Sequence, residues 1–294
     1  MNTTDFISWV FDKLPLIKIF EGFLRELFAK SSLKEKGVLM TNKDILEIAI
    51  RQSACDLSAS PEDFLKTENV AVISKENENA RRYLTLPFAC QLVSYGSNIV
   101  ASTSLELREL TLAYINKFEH YHCFETPNLH YLMERLRPLG LDICFMAEYW
   151  LPDLDVLRPL PCAYELKLLT QKDFAQLYLP EWSNALCEKR KHLDMLGVGA
   201  YDGETLVGLA GCSADCDEMW QIGVDVLPAY RRQGIAASLT SHLACEIIKR
   251  GKVPFYCCAW SNVASARNAI KSGFRPAWVE CTAKTKELIE SMNT

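Results

Sequence analysis

"VDVLPAYRRQGIAASL", residues 224–239, decides how the second half of this chain is read. An apolar strand ends in a proline turn, two arginines follow, and Gln233-Gly234-Ile235-Ala236 opens a helix. The first turn of a helix carries backbone N–H groups without intrahelical partners, and the macrodipole adds partial positive charge there. A pyrophosphate at such a corner accepts several of those bonds at once. Close approach requires that no bulky side chain intervene, which suits Gly234 and Ala236. Arg231 and Arg232 bring charge to the same spot. The alternative is a glycine used only for the turn, beside two solvated arginines.

Other phosphate motifs fit worse. No G-x-x-x-x-G-K-[ST] occurs, which excludes a P-loop. "GVGAYDG" from Gly197 imitates a dinucleotide fingerprint, but Asp202 stands where the third glycine belongs, and the stretch opens a hairpin rather than a helix.

Outward from the quoted stretch, the second half reads as alternating strands and helices. Tyr164–Leu168 is a strand, followed by two short helices over 171–178 and 182–191. "LGVGAY" and "ETLVGLAGC" flank Asp202-Gly203, which favours a tight type I′ hairpin. "MWQIGVDV" is a strand, residues 235–250 have helical spacing, and "VPFYCCAW" is a buried strand. Ser261 or Asn262 caps a last helix that stops at Gly273, and Phe274–Glu280 is a last strand. This order predicts an α/β sheet covered by helices.

The Pro-rich passage over 151–162 is the best linker candidate between this part, 163–294, and a smaller α+β part over 40–150. The first half echoes the ending weakly. Its "HCF", a helix over 128–137, Gly140 and "DICFMAEYW" match a strand–helix–strand order, either as a degenerate internal repeat or by coincidence. Over 1–39, Phe6, Val10, Leu14, Ile17, Phe20, Leu24 and Leu27 recur at helical steps, with Pro15 set to break or kink the helix. Either this is an appended amphipathic segment or a leader, with Met40 as the natural start and Thr41 or Asn42 as a fresh cap.

Composition narrows the function classes. With 294 residues, 49% hydrophobic and 23% charged, the chain is long enough for two ordinary domains and reads as soluble and globular. The net charge of −5, without a basic stripe, argues against nucleic acid as partner. No apolar run reaches the length of a membrane span. The twelve cysteines include several inside apolar strand-like runs and no C-x-x-C pair, which fits reduced thiols in a cytoplasm. His120-Tyr121-His122-Cys123 lacks a partner cluster, so it reads as a strand with ordinary polar residues and no metal site is expected.

With Arg231, Gly234 and Ala236 following "IGVDVLPAY", the stretch resembles the acetyl-CoA motif of the GNAT N-acetyltransferase superfamily. "WSNVASARNAIKSGF" is similar to that family's next motif, with Asn262, the small Ser265 three residues on, and Gly-Phe closing the helix. The resemblance covers the second half and not the first. It implies a mixed sheet flanked by helices, preceded by a smaller α/β part that is a degenerate half of the same kind in one of the two readings above. It also implies a strand bulged at Val224, Asp225 and Val226, whose backbone bonds the pantetheine arm of acetyl-CoA. Residues Arg231, Arg232, Gln233, Gly234, Ile235 and Ala236 would hold the pyrophosphate, with Asn262 and Ser265 on the pantetheine side. An acceptor amine would then attack the thioester directly.

Two positions depart from the family pattern. Ala269 stands where many members have a tyrosine acid, leaving water or Tyr256 as the donor. The usual Glu base aligns with Trp220, and Glu218, two residues earlier on the same strand face, is the leading substitute. Tyr178, Glu181 and Trp182 sit in the loop expected to roof the acceptor pocket, with Trp220 near the base position. The resemblance therefore implies an acetyltransferase acting on a small-molecule amine. The alternatives are a protein or peptide amine, or a module that senses acetyl-CoA without turnover.

Overall fold

The computed structural model describes residues 40–293. The amphipathic segment or leader expected over 1–39 lies outside the described residues. Helix α1 (Asn42–Leu57) is capped by Thr41. The Asp44 N–H donates to the Thr41 hydroxyl at 3.2 Å, and the Thr41 N–H donates to the Asp44 carboxylate at 2.7 Å. This reciprocal pair satisfies two of the donors that a helix start leaves open.

In chain order the strands are β1 (Val70–Ile73), β2 (Cys90–Ser94), β3 (Val100–Thr103), β4 (Leu141–Pro152), β5 (Glu165–Thr170), β6 (Asp194–Asp202), β7 (Thr205–Ser213), β8 (Met219–Val226), β9 (Val253–Cys258) and β10 (Phe274–Thr285). They form a single mixed sheet in the order β1-β3-β2-β10-β4-β9-β8-β7-β6-β5. β1 and β3 run parallel, as do β8 and β9, and every other pairing is antiparallel. The long strand β4, which precedes the Pro-rich passage, lies between β9 and β10. The parts expected on either side of 151–162 thus share one sheet, and the chain from Thr41 onward forms one compact unit.

One face of β6–β9 carries α4 (Ile235–Lys249), whose Ile235, Leu239, Leu243 and Ile247 pack with Trp220, Ile222 and Val207. α5 (Val263–Lys271) adds Ala269 to the same core. In the first half, α2 (Arg108–Ile115) and α3 (Thr126–Leu136) pack Ile115, Leu132 and Leu136 against Leu92, Ala101, Cys281 and Ala283 of the sheet. A seven-residue helix, α6 (Lys286–Met292), follows β10.

Several local expectations change. Residues 171–193 form three short 3-10 turns, Gln171–Asp173, Pro180–Trp182 and Glu188–Leu193, in place of two short helices. Side-chain carboxylates engage the backbone donors there. Asp225 accepts from the Asn184 and Ala185 N–H groups at 2.9 Å each, and Asp194 accepts from the Cys187 N–H at 2.9 Å. The segment lies so close to the sheet that a Cβ on Gly223 would fall 1.8 Å from the Asn184 carbonyl oxygen, and one on Gly211 would fall 2.1 Å from that of Ala185.

His120–Phe124 is a 3-10 turn and not a strand. The Tyr114 hydroxyl donates to the Cys123 carbonyl at 2.7 Å and the Asn128 amide donates to that of His122 at 2.9 Å, so side chains take the acceptors a sheet would use. The strand–helix–strand echo in the first half therefore lacks its opening strand. In the β6–β7 hairpin Asp202 pairs with Thr205, and only Gly203 has a positive φ (+60°). The turn is accordingly Gly203-Glu204, where type I′ would need two positive φ angles. The expected linker begins as the last two residues of β4 and is then pinned to α4: the Leu160 N–H donates to the Ser241 hydroxyl at 3.1 Å and the Ser238 hydroxyl donates to the Leu160 carbonyl at 2.8 Å.

Candidate active site

β8 divides its two edges differently. Along β7 it stays paired from Gln221 to Val226, but along β9 pairing runs only from Met219 to Ile222, opposite Val253 to Tyr256. Beyond that rung β9 turns to β4, where Cys257 and Cys258 pair with Tyr149 and Glu148. A fork thus opens between Gly223–Val226 and the end of β9. Its β8 edge carries backbone groups that no strand pairs, and Val224, Asp225 and Val226 all lie on it. The Asp225 side chain is engaged elsewhere, clamping Asn184 and Ala185.

The helix-side end of the fork is the arginine–glycine corner. Arg232 (φ +63°) and Gly234 (φ +84°) are both left-handed, and Gly234 is the cap of α4. The first α4 N–H to find an acceptor is that of Ser238, which donates to the Gly234 carbonyl at 3.1 Å. The N–H groups of residues 232–237 have no acceptor among the described residues. Arg231 uses its Nε to donate to the Val226 carbonyl at 3.0 Å, and neither Arg231 nor Arg232 forms an ion pair among the described residues. Gln233 is turned aside and accepts from the Tyr164 hydroxyl at 2.8 Å. A Cβ on Gly234 would have one neighbour within 4 Å, the Lys271 Nζ at 3.7 Å. Sequence reading missed Lys271, which lies in the last residue of α5 and carries no local signal for this corner. Free backbone donors, an open cradle and three cationic side chains without an ion pair among the described residues fit a diphosphate.

Asn262 caps α5 through its side-chain oxygen, which accepts from the Ser265 N–H at 3.1 Å. Ser265 in turn meets Tyr256, hydroxyl to hydroxyl, at 2.7 Å. Tyr256 stands on the last β8–β9 rung, and burial raises its pKa above the ordinary phenol value, so it keeps its proton. Ala269 is fully buried and fills core space.

The residues expected on the acceptor side are engaged in separate places. Trp220 is buried against α4, and Trp182 lies in a small core with Phe174 and Leu209. The Tyr178 hydroxyl donates to Asp194 at 3.1 Å, and Glu181 is exposed. Glu218 immediately precedes β8, and its carbonyl accepts from the Val253 N–H at 2.8 Å. It forms an ion pair with Arg51 of α1 at 3.3 Å and lines a separate cavity of about 320 Å³ with Arg82 and Asp217. Four residues separate it from the rung of Tyr256, roughly 13 Å along a strand.

A different cavity, of about 420 Å³, adjoins the fork on the face away from α4. Gln221 and Cys257 form its inner end, and the Gln221 amide donates to the Cys257 sulfur at 3.0 Å across the last rungs. Burial pushes the Cys257 thiol up to about 12, so it is no thiolate at neutral pH. Among the described residues no group of three or more His, Cys, Asp or Glu side chains is placed to hold a metal, and no helix is long and apolar enough to cross a membrane.

Residues 146–277, just under half of the chain, match the sequence profile described as GNAT acetyltransferase. The match gives this segment, and not the whole chain, its likeness to GNAT acetyltransferases. Among solved structures, a GCN5-related N-acetyltransferase from Kribbella flavida is similar at 13% identity and a TM-score of 0.43, over 84% of this chain and 97% of that one. A putative GNAT-family acetyltransferase from Novosphingobium aromaticivorans is similar at 20% identity and a TM-score of 0.37, over 49% of this chain and 66% of that one. A tandem GNAT protein from the clavulanic acid biosynthesis pathway is similar at 12% identity and a TM-score of 0.38, over 67% of this chain and 64% of that one. In the last two cases the match spans slightly less than two thirds of the other protein's length. No curated protein matches the sequence.

Proposed function

We propose that this protein transfers the acetyl group of acetyl-CoA to the primary amine of a small molecule, by direct attack with both substrates bound. The observation that carries the reading is the fork ending at Ile222 and Tyr256, with the unpaired N–H groups of 232–237 at its helix side. In this reading the free edge of Gly223–Val226 receives the pantetheine as an added strand. Residues 231–236 and Lys271 hold the diphosphate. A backbone N–H on the fork edge polarises the thioester carbonyl. Acetyl-CoA supplies the activated acyl group; the protein orients it and the amine.

The acceptor nitrogen attacks as the free amine. Its bond to the acetyl carbon forms as the carbon–sulfur bond breaks; the departing sulfur takes the Tyr256 proton, and the nitrogen gives one to solvent, which returns a proton to Tyr256. Tyr256 holds the proton for the sulfur, and Ser265 fixes its hydroxyl. Glu218, held by Arg51 away from the fork, takes no part. The protonated Cys257 beside the fork favours direct transfer over an acyl-thiol route. The free cysteines, many of them buried, suit a reducing cytoplasm.

The buried Ala269 favours one competing reading, a module that binds acetyl-CoA without turnover. Thiol release from acetyl-CoA, measured with a panel of primary amines, separates the two. Amine-dependent release supports transfer. Tight binding without release from any amine supports the sensor and ends the transferase reading.

A further inference from the structure

The cavity of about 420 Å³ has a consistent chemical character from end to end. Its inner end is Gln221 and Cys257, at the apex of the fork. Its body is aromatic, formed by Tyr83, Tyr149, Phe88 and Phe145. Phe145 is 43% exposed, and Leu288 and Met292 of α6 continue the apolar wall at 45% and 66% exposure. From Tyr149 to Phe145 the strand advances four residues, roughly 13 Å.

The charges along it are unequal. Glu280 is buried and already accepts from Arg81 at 2.7 Å, the Trp278 indole at 2.8 Å and Gln91 at 3.1 Å. Arg190 is paired with Asp215 at 3.3 Å. Lys284, at the outer end, sits 5.8 Å above the Phe88 ring and forms no ion pair among the described residues. The one lining carboxylate is therefore neutralised, while a lysine at the far end is not. A second ammonium on a ligand would find no free acid and would meet Lys284.

We propose that this cavity is the acceptor site and that it selects a monoamine on an alkyl or aryl body, with a neutral or anionic far end. The amine lies at Gln221 and Cys257, the body lies along Tyr149 and Phe145, and Lys284 reads the far end. Polyamines and other polycationic amines are disfavoured. This inference rests on the acetyl-transfer reading and adds the substrate class to it.

Three acceptors of one length test it: 8-aminooctanoate, octylamine and 1,8-diaminooctane, with spermine as a polycation control. With acetyl-CoA and full-length protein, kcat/KM is expected to fall in the order aminooctanoate, octylamine, diamine, by about fivefold or more from first to last. Lys284→Gln should compress that spread, lowering kcat/KM for aminooctanoate and raising it for the diamine. Phe145→Ala, at an exposed position, should raise KM for all three by about two- to tenfold. Acetyl-CoA affinity, read by calorimetry, should not move in either variant. Equal or better use of the diamine, an order untouched by Lys284→Gln, or transfer to spermine alone overturns the acceptor assignment and leaves acetyl transfer standing. Bound acetyl-CoA with no transfer to any of the four also overturns it. Failure to bind acetyl-CoA removes the underlying reading itself.

Discussion

Two arginine-bearing regions of this protein show opposite treatments of charge. Arg81 is buried, with a side chain 4% exposed, and lies between the carboxylates of Asp56 and Glu280. Its Nη1 also donates to the Tyr83 hydroxyl at 2.7 Å. Arg231 and Arg232 are exposed, form no ion pair among the described residues, and flank six backbone N–H groups that also lack acceptors. The first region satisfies its charges internally and ties α1 to β10. The second keeps its donors available for a molecule from outside. Charge placement alone distinguishes neither; the presence or absence of partners does.

The largest effect should come from the internal region. Arg81→Ala leaves two carboxylates buried without their cation, and breaking a buried pair in this way costs about 3–5 kcal/mol. Urea unfolding of the variant is the measurement, and a loss under ~1 kcal/mol would mean that Asp56 and Glu280 reach solvent or other donors. Asp194 sharpens the comparison, because it is buried with no arginine of its own and its Oδ1 has no hydrogen-bond partner. Burial first, opposed by the Cys187 N–H and Tyr178 hydroxyl, raises its pKa from 3.8 to about 6. Between those values the folded state holds a proton that the unfolded state has lost, so stability falls as pH rises through this window. The span corresponds to about 3 kcal/mol. Asp194→Asn should flatten this part of the stability–pH curve, and an unchanged slope between pH 4 and 6 would place the titration elsewhere.

At the external region, Gly234→Glu puts negative charge and bulk where the diphosphate is expected. The left-handed φ costs any side chain about 1–2 kcal/mol, so Gly234→Ala is the necessary control. It carries the same strain without the charge. Acetyl-CoA affinity should fall at least about tenfold further in the glutamate variant than in the alanine variant, with both folded. Equal affinities in calorimetry would show that the corner does not hold the phosphates.

The contrast also explains what could be read without coordinates. The 224–239 stretch was legible because its signals are local: the strand pattern, Pro228, Gly234 and the helical repeat of Leu239, Leu243 and Ile247 lie within one supersecondary unit. The Asn262 cap was legible for the same reason. Glu218 was expected at the base position from alternation alone, which could not show its ion pair with Arg51 of the remote α1. Trp182 and Trp220 looked like walls because an aromatic in sequence shows its size but not its burial. The insertion of β4 between β9 and β10 was not legible, since its partners are remote in the chain. The acceptor cavity follows from that insertion. Gln221, Cys257, Tyr149 and Glu280 come from four strands, and no spacing in the sequence links them.

Lys271 offers the finest test of the external corner, because nothing in the sequence marked it. Its ammonium lies 3.7 Å from where a Gly234 Cβ would stand, yet it comes from the end of α5 and not from the loop. An exposed ammonium acting on a phosphate through water-screened space contributes little, about 0.2–1 kcal/mol, which is a two- to fivefold change in affinity. Lys271→Gln should therefore weaken acetyl-CoA by that amount at low salt and leave the pantetheine portion unaffected. Screening shortens with ionic strength, so the difference from wild type should shrink as salt is raised toward 1 M. A truncated thioester lacking the diphosphate should bind both proteins alike. If the variant loses affinity for that truncated thioester as well, Lys271 acts through the packing of α5 and not through charge.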